Sequence, residues 1–128
     1  MKHTRRWLWL VAALALVTSC DSGPKGPGTL PGVVSGGDLG AVVLSVSGPG
    51  ILGFEGRDGS KVYSAALSPN ALVPTYRVIV VGQAGGDLHF GIKVEDVGWQ
   101  LPKLAVLDAV DSRNAALAGA DVQVSVTR

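Results

Sequence analysis

Apolar and polar residues alternate with a period of two along most of the chain after residue 38, which predicts β-strands rather than helices. The clearest alternation covers 88–94, and the same pattern predicts strands at 42–47, 76–81 and 121–127. Both alternating sets of 76–81 are rich in apolar residues, so we expect that strand to be covered on both faces. Weaker patterns predict three more strands, at 51–55, 61–67 and 104–111.

Turn-forming residues separate these segments, as in Gly48-Pro49-Gly50, in Arg57-Asp58-Gly59 and around Pro69. About seven strands spaced by such turns in about ninety residues indicate an all-β fold. We predict a single antiparallel β-sandwich with immunoglobulin-like, cohesin-like or jelly-roll connections. Only 102–109 and 114–120 compete as helices, and both are short.

The strand pattern is clearest at the end of the chain. Strands at 105–111 and 121–127 flank the string SRNAALAGA, which predicts a terminal hairpin with a long loop. The stretch VLDAVDSRNAALAGADVQVSV resembles the closing strands of cohesin-like and other bacterial immunoglobulin-like sandwich modules. It covers about a sixth of the chain. The resemblance implies the architecture, with Trp99 as a core tryptophan, and carries no functional residue.

The first twenty residues follow a different pattern. A basic head, MKHTRR, precedes an uninterrupted apolar run of eleven residues, WLWLVAALALV. Eleven residues rise only about 16 Å as a helix, well short of the roughly 30 Å hydrocarbon core of a bilayer. The segment is therefore interpreted as a secretory signal. Arg5-Arg6 is faintly similar to a twin-arginine signal, but general secretion is the preferred route.

The string Val17-Thr18-Ser19-Cys20 resembles the lipobox of bacterial lipoproteins, and Cys20 is the only cysteine in the chain. The resemblance implies cleavage by signal peptidase II between Ser19 and Cys20, and a diacylglycerol on the Cys20 thiol. Thr18 is less usual at its position. The expected location is the bacterial cell envelope, lipid-anchored to a membrane on the periplasmic side or at the cell surface. Asp21, directly after the cysteine, resembles the signal that retains enteric lipoproteins in the inner membrane, and it favours that membrane only weakly. The alternative is an ordinary signal peptide followed by an unmodified thiol.

Composition changes once this head is removed. The whole chain has a formal charge of +1, but the part after residue 20 carries 8 basic and 10 acidic side chains. A mildly acidic chain of this size excludes a long basic face for nucleic acid. Six glycines and three prolines among residues 21–37 predict a mobile tether, up to about 55 Å long when extended. The predicted organisation is a signal peptide at 1–19, the lipidated Cys20 with its tether to 37, and a β-sandwich at 38–128.

Candidate chemistry after cleavage is sparse. The single remaining histidine, His89, lies on the polar face of its predicted strand and is interpreted as a surface residue. Asp108, Asp111 and Asn114 are the candidates for a calcium site at a sandwich edge, although no DxDxDG-like loop is present. The alternative is that they are solvated residues of turns and strand ends. No cofactor and no other metal site are expected.

Aromatic residues offer a second kind of candidate site. Tyr63, Tyr76 and Trp99 have a polar edge and could form platforms for a sugar, or else pack at the core and its rim. The leading expectation is a non-catalytic, lipid-anchored module for binding, adhesion or structure, with the membrane and an envelope protein or glycan as partners. The alternatives are an accessory lipoprotein that binds a carbohydrate, calcium ion or partner protein through loops at one sandwich end, and a minimal hydrolase with a carboxylate pair.

Overall fold

The computed structural model describes residues 23, 25–68, 70–83 and 85–128. Eight strands follow one another along this part of the chain: β1 (Gly28–Ser35), β2 (Leu39–Ser47), β3 (Ile51–Arg57), β4 (Lys61–Ala66), β5 (Thr75–Val81), β6 (Leu88–Val94), β7 (Lys103–Asp111) and β8 (Gln123–Val126). A single 3-10 turn, η1 (Gly119–Asp121), precedes β8. No helix among the described residues is long and apolar enough to cross a membrane.

The strands form two antiparallel sheets of four strands each. In sheet A the order is β3-β6-β1-β8, and in sheet B it is β4-β5-β2-β7. Residues from both sheets contribute to one hydrophobic core between them. The predicted fold class, an all-β antiparallel β-sandwich, is therefore confirmed, with eight strands instead of about seven.

Inward-facing residues of the alternating strands build the core. The largest fully buried side chains include Phe90, Leu88 and Ile92 of β6, with Leu39 and Leu44 of β2 opposite. Among the described residues no polar or charged side chain is buried. Burial of apolar surface between the two sheets is thus the main stabilising contribution.

Strand β1 lies inside the segment that was predicted to be a tether, so that prediction was wrong for residues 28–35. Leu30, Gly32 and Val34 alternate with period two and face the core, but the glycines and prolines around them obscured the pattern. Pro31 is accommodated because the N–H that proline lacks would point away from β6, toward the end of β8, so no bond between β1 and β6 is lost; its carbonyl accepts the N–H of Thr127 at 3.1 Å.

The last two strands do not form the predicted terminal hairpin. β7 pairs with β2 in sheet B, whereas β8 pairs with β1 in sheet A. The connecting residues cross from one sheet to the other, and a bridge between Val110 and Ala116 makes the crossing compact. Each strand therefore completes the edge of a different sheet. The competing helical interpretation of 102–109 is excluded because β7 covers it.

Strand β5 is covered on one face only, which contradicts the prediction for 76–81. Val78 and Val80 are buried, but Ile79 between them is 37% exposed on the outer face of sheet B. Its neighbours across the sheet are Tyr63 and Val43. The sequence could not show this, because an apolar outer face looks the same whether or not a further layer covers it.

Candidate functional site

The strand registers bring distant loops together at one end of the sandwich, which we call the Gly26 end. Gly28 and Ile51 both pair with Val94, and the last residue of β2, Ser47, pairs with the first residues of β5 and β7. Gly26 and the described residues of the loops at 48–50, 67–74 and 95–102 therefore lie at this end. The sequence alone did not indicate that these segments meet.

Asp96 binds the segment that precedes β1 to this end of the sandwich. Its Oδ1 accepts hydrogen bonds from the N–H groups of Gly26 at 2.9 Å and Gly98 at 2.8 Å. The N–H of Val97 in turn donates to the carbonyl of Gly26 at 2.9 Å. Hydrogen bonds to a carboxylate are stronger than neutral ones. The chain is thus tied to the 95–102 loop two residues before β1 begins.

A cleft with a volume of about 330 Å³ opens between these loops. Its polar side chains are the Ser47 hydroxyl, the Gln100 amide and the Lys103 ammonium, with Val73 and Leu101 among the apolar ones. The combination suits an amphiphilic ligand with an acceptor or anionic group. The cleft is open and its lining carries no acid and no histidine.

Apolar side chains project from the same loops. Leu72 is 99% exposed and Val73 is 56% exposed. Trp99 is 46% exposed and its ring lies over Gly50, where an added Cβ would come within 2.7 Å of Trp99 Cζ3. Trp99 is therefore a loop residue packed on a turn, and its interpretation as a core tryptophan was wrong.

The opposite end, which we call the Asp38 end, is held by hydrogen bonds between its loops. The Ser112 hydroxyl donates to Asp38 Oδ2, and the Ser112 N–H donates to the Asp38 carbonyl at 3.1 Å. Asp38, Asp58, Asp87, Asp111 and Asp121 all lie in or next to the loops of this end. No group of three or more His, Cys, Asp or Glu side chains in the described part of the chain is placed to hold a metal ion.

The three calcium candidates do not converge. Asp111 Oδ1 accepts the N–H groups of Arg113 and Ala115, both at 2.9 Å, and so stabilises the turn in which Asn114 has a φ of 63°. Asp108 lies three residues earlier on β7 and accepts the N–H of Ala109. Residues three apart on a strand are about 10 Å apart and point to opposite faces. The arrangement favours the alternative of turn and strand-end residues.

His89 lies where the sequence placed it, half-exposed on its strand. Its Nδ1 is 3.8 Å from Oδ2 of Asp58, a residue of the tight Asp58-Gly59 turn between β3 and β4. Asp58 is well exposed, so an ion pair at this distance contributes little to stability. The pair lies in solvent at the Asp38 end.

The aromatic candidates are separated as well. Tyr76 points between the sheets, with its ring 5.4 Å from that of Phe54 in an edge-to-face contact and its hydroxyl 3.5 Å from the Ile51 carbonyl. Tyr63 lies on the outer face of sheet B, and Trp99 lies at the Gly26 end. Three rings on three different surfaces cannot form one sugar platform.

The string Val17-Thr18-Ser19-Cys20, which resembles a lipobox, and the predicted signal peptide lie outside the described residues. Comparisons with protein-family models, curated proteins and solved structures give no match to this chain. A functional interpretation therefore rests on the residues themselves. The sequence did contain one indication of the exposed apolar residues at the Gly26 end. In the turn-rich segments NALVP and VGWQL, the apolar residues follow neither the strand period nor the helix period, so no regular element would bury them.

Proposed function

We propose that the protein is a lipid-anchored component of the bacterial cell envelope, attached through Cys20, whose β-sandwich acts as a non-catalytic module for binding, adhesion or structure. The observation that carries the proposal is the position of the lipobox cysteine. Cys20 lies only six residues before Gly26, where the chain is tied to the fold by hydrogen bonds with Asp96 and Val97.

The chemistry of lipidation accounts for a durable anchor. A single acyl chain holds a protein to a membrane only marginally, whereas two or three chains, each stabilised by about 0.8 kcal/mol per buried methylene, give stable attachment. A diacylglycerol on the Cys20 thiol, with or without an acyl group on the new α-amine, meets this requirement. The whole folded part then lies downstream of the anchor.

Two substitutions at adjacent positions test the anchor. Cys20→Ala removes the thiol and should release the protein from the membrane fraction after a carbonate wash, while Ser19→Ala keeps a small residue before the cysteine and should leave the protein membrane-bound. Mass spectrometry of the unchanged protein should show an N-terminal cysteine with the added mass of its acyl chains. Equal membrane retention of the two variants, with no added mass on Cys20, would contradict the proposal.

The alternative of a carbohydrate or calcium site has less support. A sugar site was suggested by Tyr63 and Trp99, but these two residues lie on separate surfaces. A calcium site was suggested by Asp108 and Asp111, which also lie on separate surfaces. Binding of a partner protein through loops needs none of these residues and fits within the leading proposal.

A further inference from the structure

We infer that the Gly26 end of the sandwich docks on an anionic membrane surface, with Leu72, Val73 and Trp99 reaching the headgroup region. The inference rests on the proposed anchor at Cys20. It adds to that proposal the orientation of the domain and a second, non-covalent contact with the membrane. The Asp38 end then faces away from the lipid.

The length of chain between anchor and fold limits where the domain can lie. Gly26 is six residues after Cys20, so the two are at most about 20 Å apart even when this segment is fully extended. The strands are 4 to 9 residues long, and the longest rise about 30 Å, so the Asp38 end lies farther from the anchor. The Gly26 end is therefore the part of the fold nearest to the lipid.

Exposed apolar side chains are concentrated at this end. Leu72 and Val73 extend from the 67–74 loop, Trp99 extends from the 95–102 loop, and Leu52 and Leu67 are exposed beside them. In the described part of the Asp38-end loops no large hydrophobic side chain is exposed. Tryptophan is favoured at membrane interfaces because its ring is apolar and its N–H can still bond to water or headgroups. The short tether to Cys20 holds these apolar loops close to the lipid. The membrane is therefore the partner that covers them.

The charges complement an anionic surface. Lys93, Lys103 and Arg128 are exposed at the Gly26 end, and the Arg128 guanidinium donates to the Trp99 carbonyl at 2.9 Å. Glu95 and Asp96 are the opposing carboxylates in the described loops of this end, and the hydrogen bonds from two backbone N–H groups to Asp96 leave its negative charge in place. The Asp38 end, with its aspartates, would be repelled. Attraction to anionic lipid amounts to about a fivefold change in binding for each lysine close to the surface.

Trp99 provides a direct readout because it is the only tryptophan after residue 20. The mature lipidated protein is reconstituted into vesicles of phosphatidylcholine and phosphatidylglycerol whose acyl chains are brominated close to the headgroups, and the emission of Trp99 is recorded. Bromine quenches tryptophan only at short range. We expect strong quenching in these vesicles, and weaker quenching when phosphatidylglycerol is left out or salt is raised, since salt screens surface charge.

Two matched pairs of variants separate docking from general effects. Lys103→Gln and Lys61→Gln each remove an exposed lysine at the start of a strand, one at each end of the sandwich. The first should lower the ratio of docked to undocked protein about fivefold, and the second should leave it unchanged. Leu72→Ser should likewise reduce quenching, whereas Leu107→Ser, at an exposed leucine on the outer face of sheet B, should not.

The outcomes distinguish this inference from the anchor itself. A protein that carries lipid on Cys20 but shows no quenching of Trp99, or responds equally to both members of each pair, overturns the docking and leaves the anchor standing. A protein without lipid on Cys20 overturns both. Dimers of the vesicle-bound protein, detected by cross-linking and accompanied by unquenched Trp99, would assign the Gly26 end to a second copy and also overturn the docking.

Discussion

At the scale of single residues, the contact between Gly32 and Phe90 shows how tightly the core is filled. The two residues face each other across β1 and β6, and the Phe90 ring lies over the glycine. A Cβ on Gly32 would be 2.4 Å from Phe90 Cζ, and both residues are buried. The alternation of β6 predicted an inward Phe90, but only the structure shows that its ring takes the space of the missing side chain.

Gly32→Ala should lower the free energy of unfolding by about 1–3 kcal/mol, because the core must shift to admit one methyl group. Gly53→Ala is the control: it lies in β3 with no atom within 4 Å of the new Cβ, so the change should stay within about 0.5 kcal/mol. Urea denaturation measures both values.

A double variant tests the cause of this effect. Phe90→Leu shortens the side chain that blocks Gly32, so Gly32→Ala should cost less in that background than alone. Additive costs in the double variant would show that the Phe90 ring is not the obstacle.

At the scale of elements, β1 is the strand that could not be recognised from the sequence, because it lies in a segment rich in glycine and proline. It lies between β6 and β8 in sheet A and contributes Leu30 and Val34 to the core. Six glycines and three prolines in 21–37 indicated a tether, since such residues usually lack the apolar surface to offset ordering entropy. Two neighbouring strands provide the missing stabilisation, and this support cannot be recognised within the segment.

Leu30→Ala distinguishes a strand from a tether. Leu30 is 3% exposed, so its truncation should cost about 2–4 kcal/mol in the free energy of unfolding. Leu52→Ala makes the same chemical change at a strand residue that is 62% exposed, and should cost less than about 0.5 kcal/mol. Thermal denaturation of the two variants provides the comparison. Similar melting temperatures would contradict the placement of β1 in the core.

At the scale of the whole molecule, the first and last strands are neighbours. β8 covers the edge of β1 in sheet A, and Val122, Val124 and Val126 at the end of the chain pack on the core or its rim. The pairing joins segments about ninety residues apart. Stability of the start of the fold therefore depends on the end of the chain.

Deletion of residues 123–128 should lower the free energy of unfolding by about 2–4 kcal/mol, because two partly buried valines and a row of ladder bonds are lost. The N–H groups of Val33 and Ser35 point toward β8 and should exchange with deuterium faster than those of Gly32 and Val34, which point toward β6.

Deletion of Arg128 alone is the control, since it removes one exposed hydrogen bond to Trp99 and should change stability by less than about 0.5 kcal/mol. Were β8 instead paired with β7, as the hairpin prediction held, the longer deletion would speed exchange in β7 and leave β1 protected.

The sequence by itself determined the fold class, most of the strands and, within those strands, many of the residues that face the core. This was achievable because side chains alternate between the two faces of a strand, so a period of two in hydrophobicity is a local property that needs no knowledge of the partner strand. The same local pattern placed the turn at Asp58-Gly59 and the surface position of His89 correctly. The sequence also contains the lipobox-like string that ends at Cys20. Lipidation of this cysteine remains a prediction.

The tertiary structure alone decided which strands pair, which apolar faces stay exposed and which loops meet. The assignment of β7 and β8 to different sheets, the exposure of Ile79 and the meeting of Gly26, Leu72 and Trp99 at one end all depend on contacts between residues far apart in the chain. Such contacts form because the two sheets bury their apolar faces together. The free energy of that burial belongs to the whole core and is not encoded in any one segment.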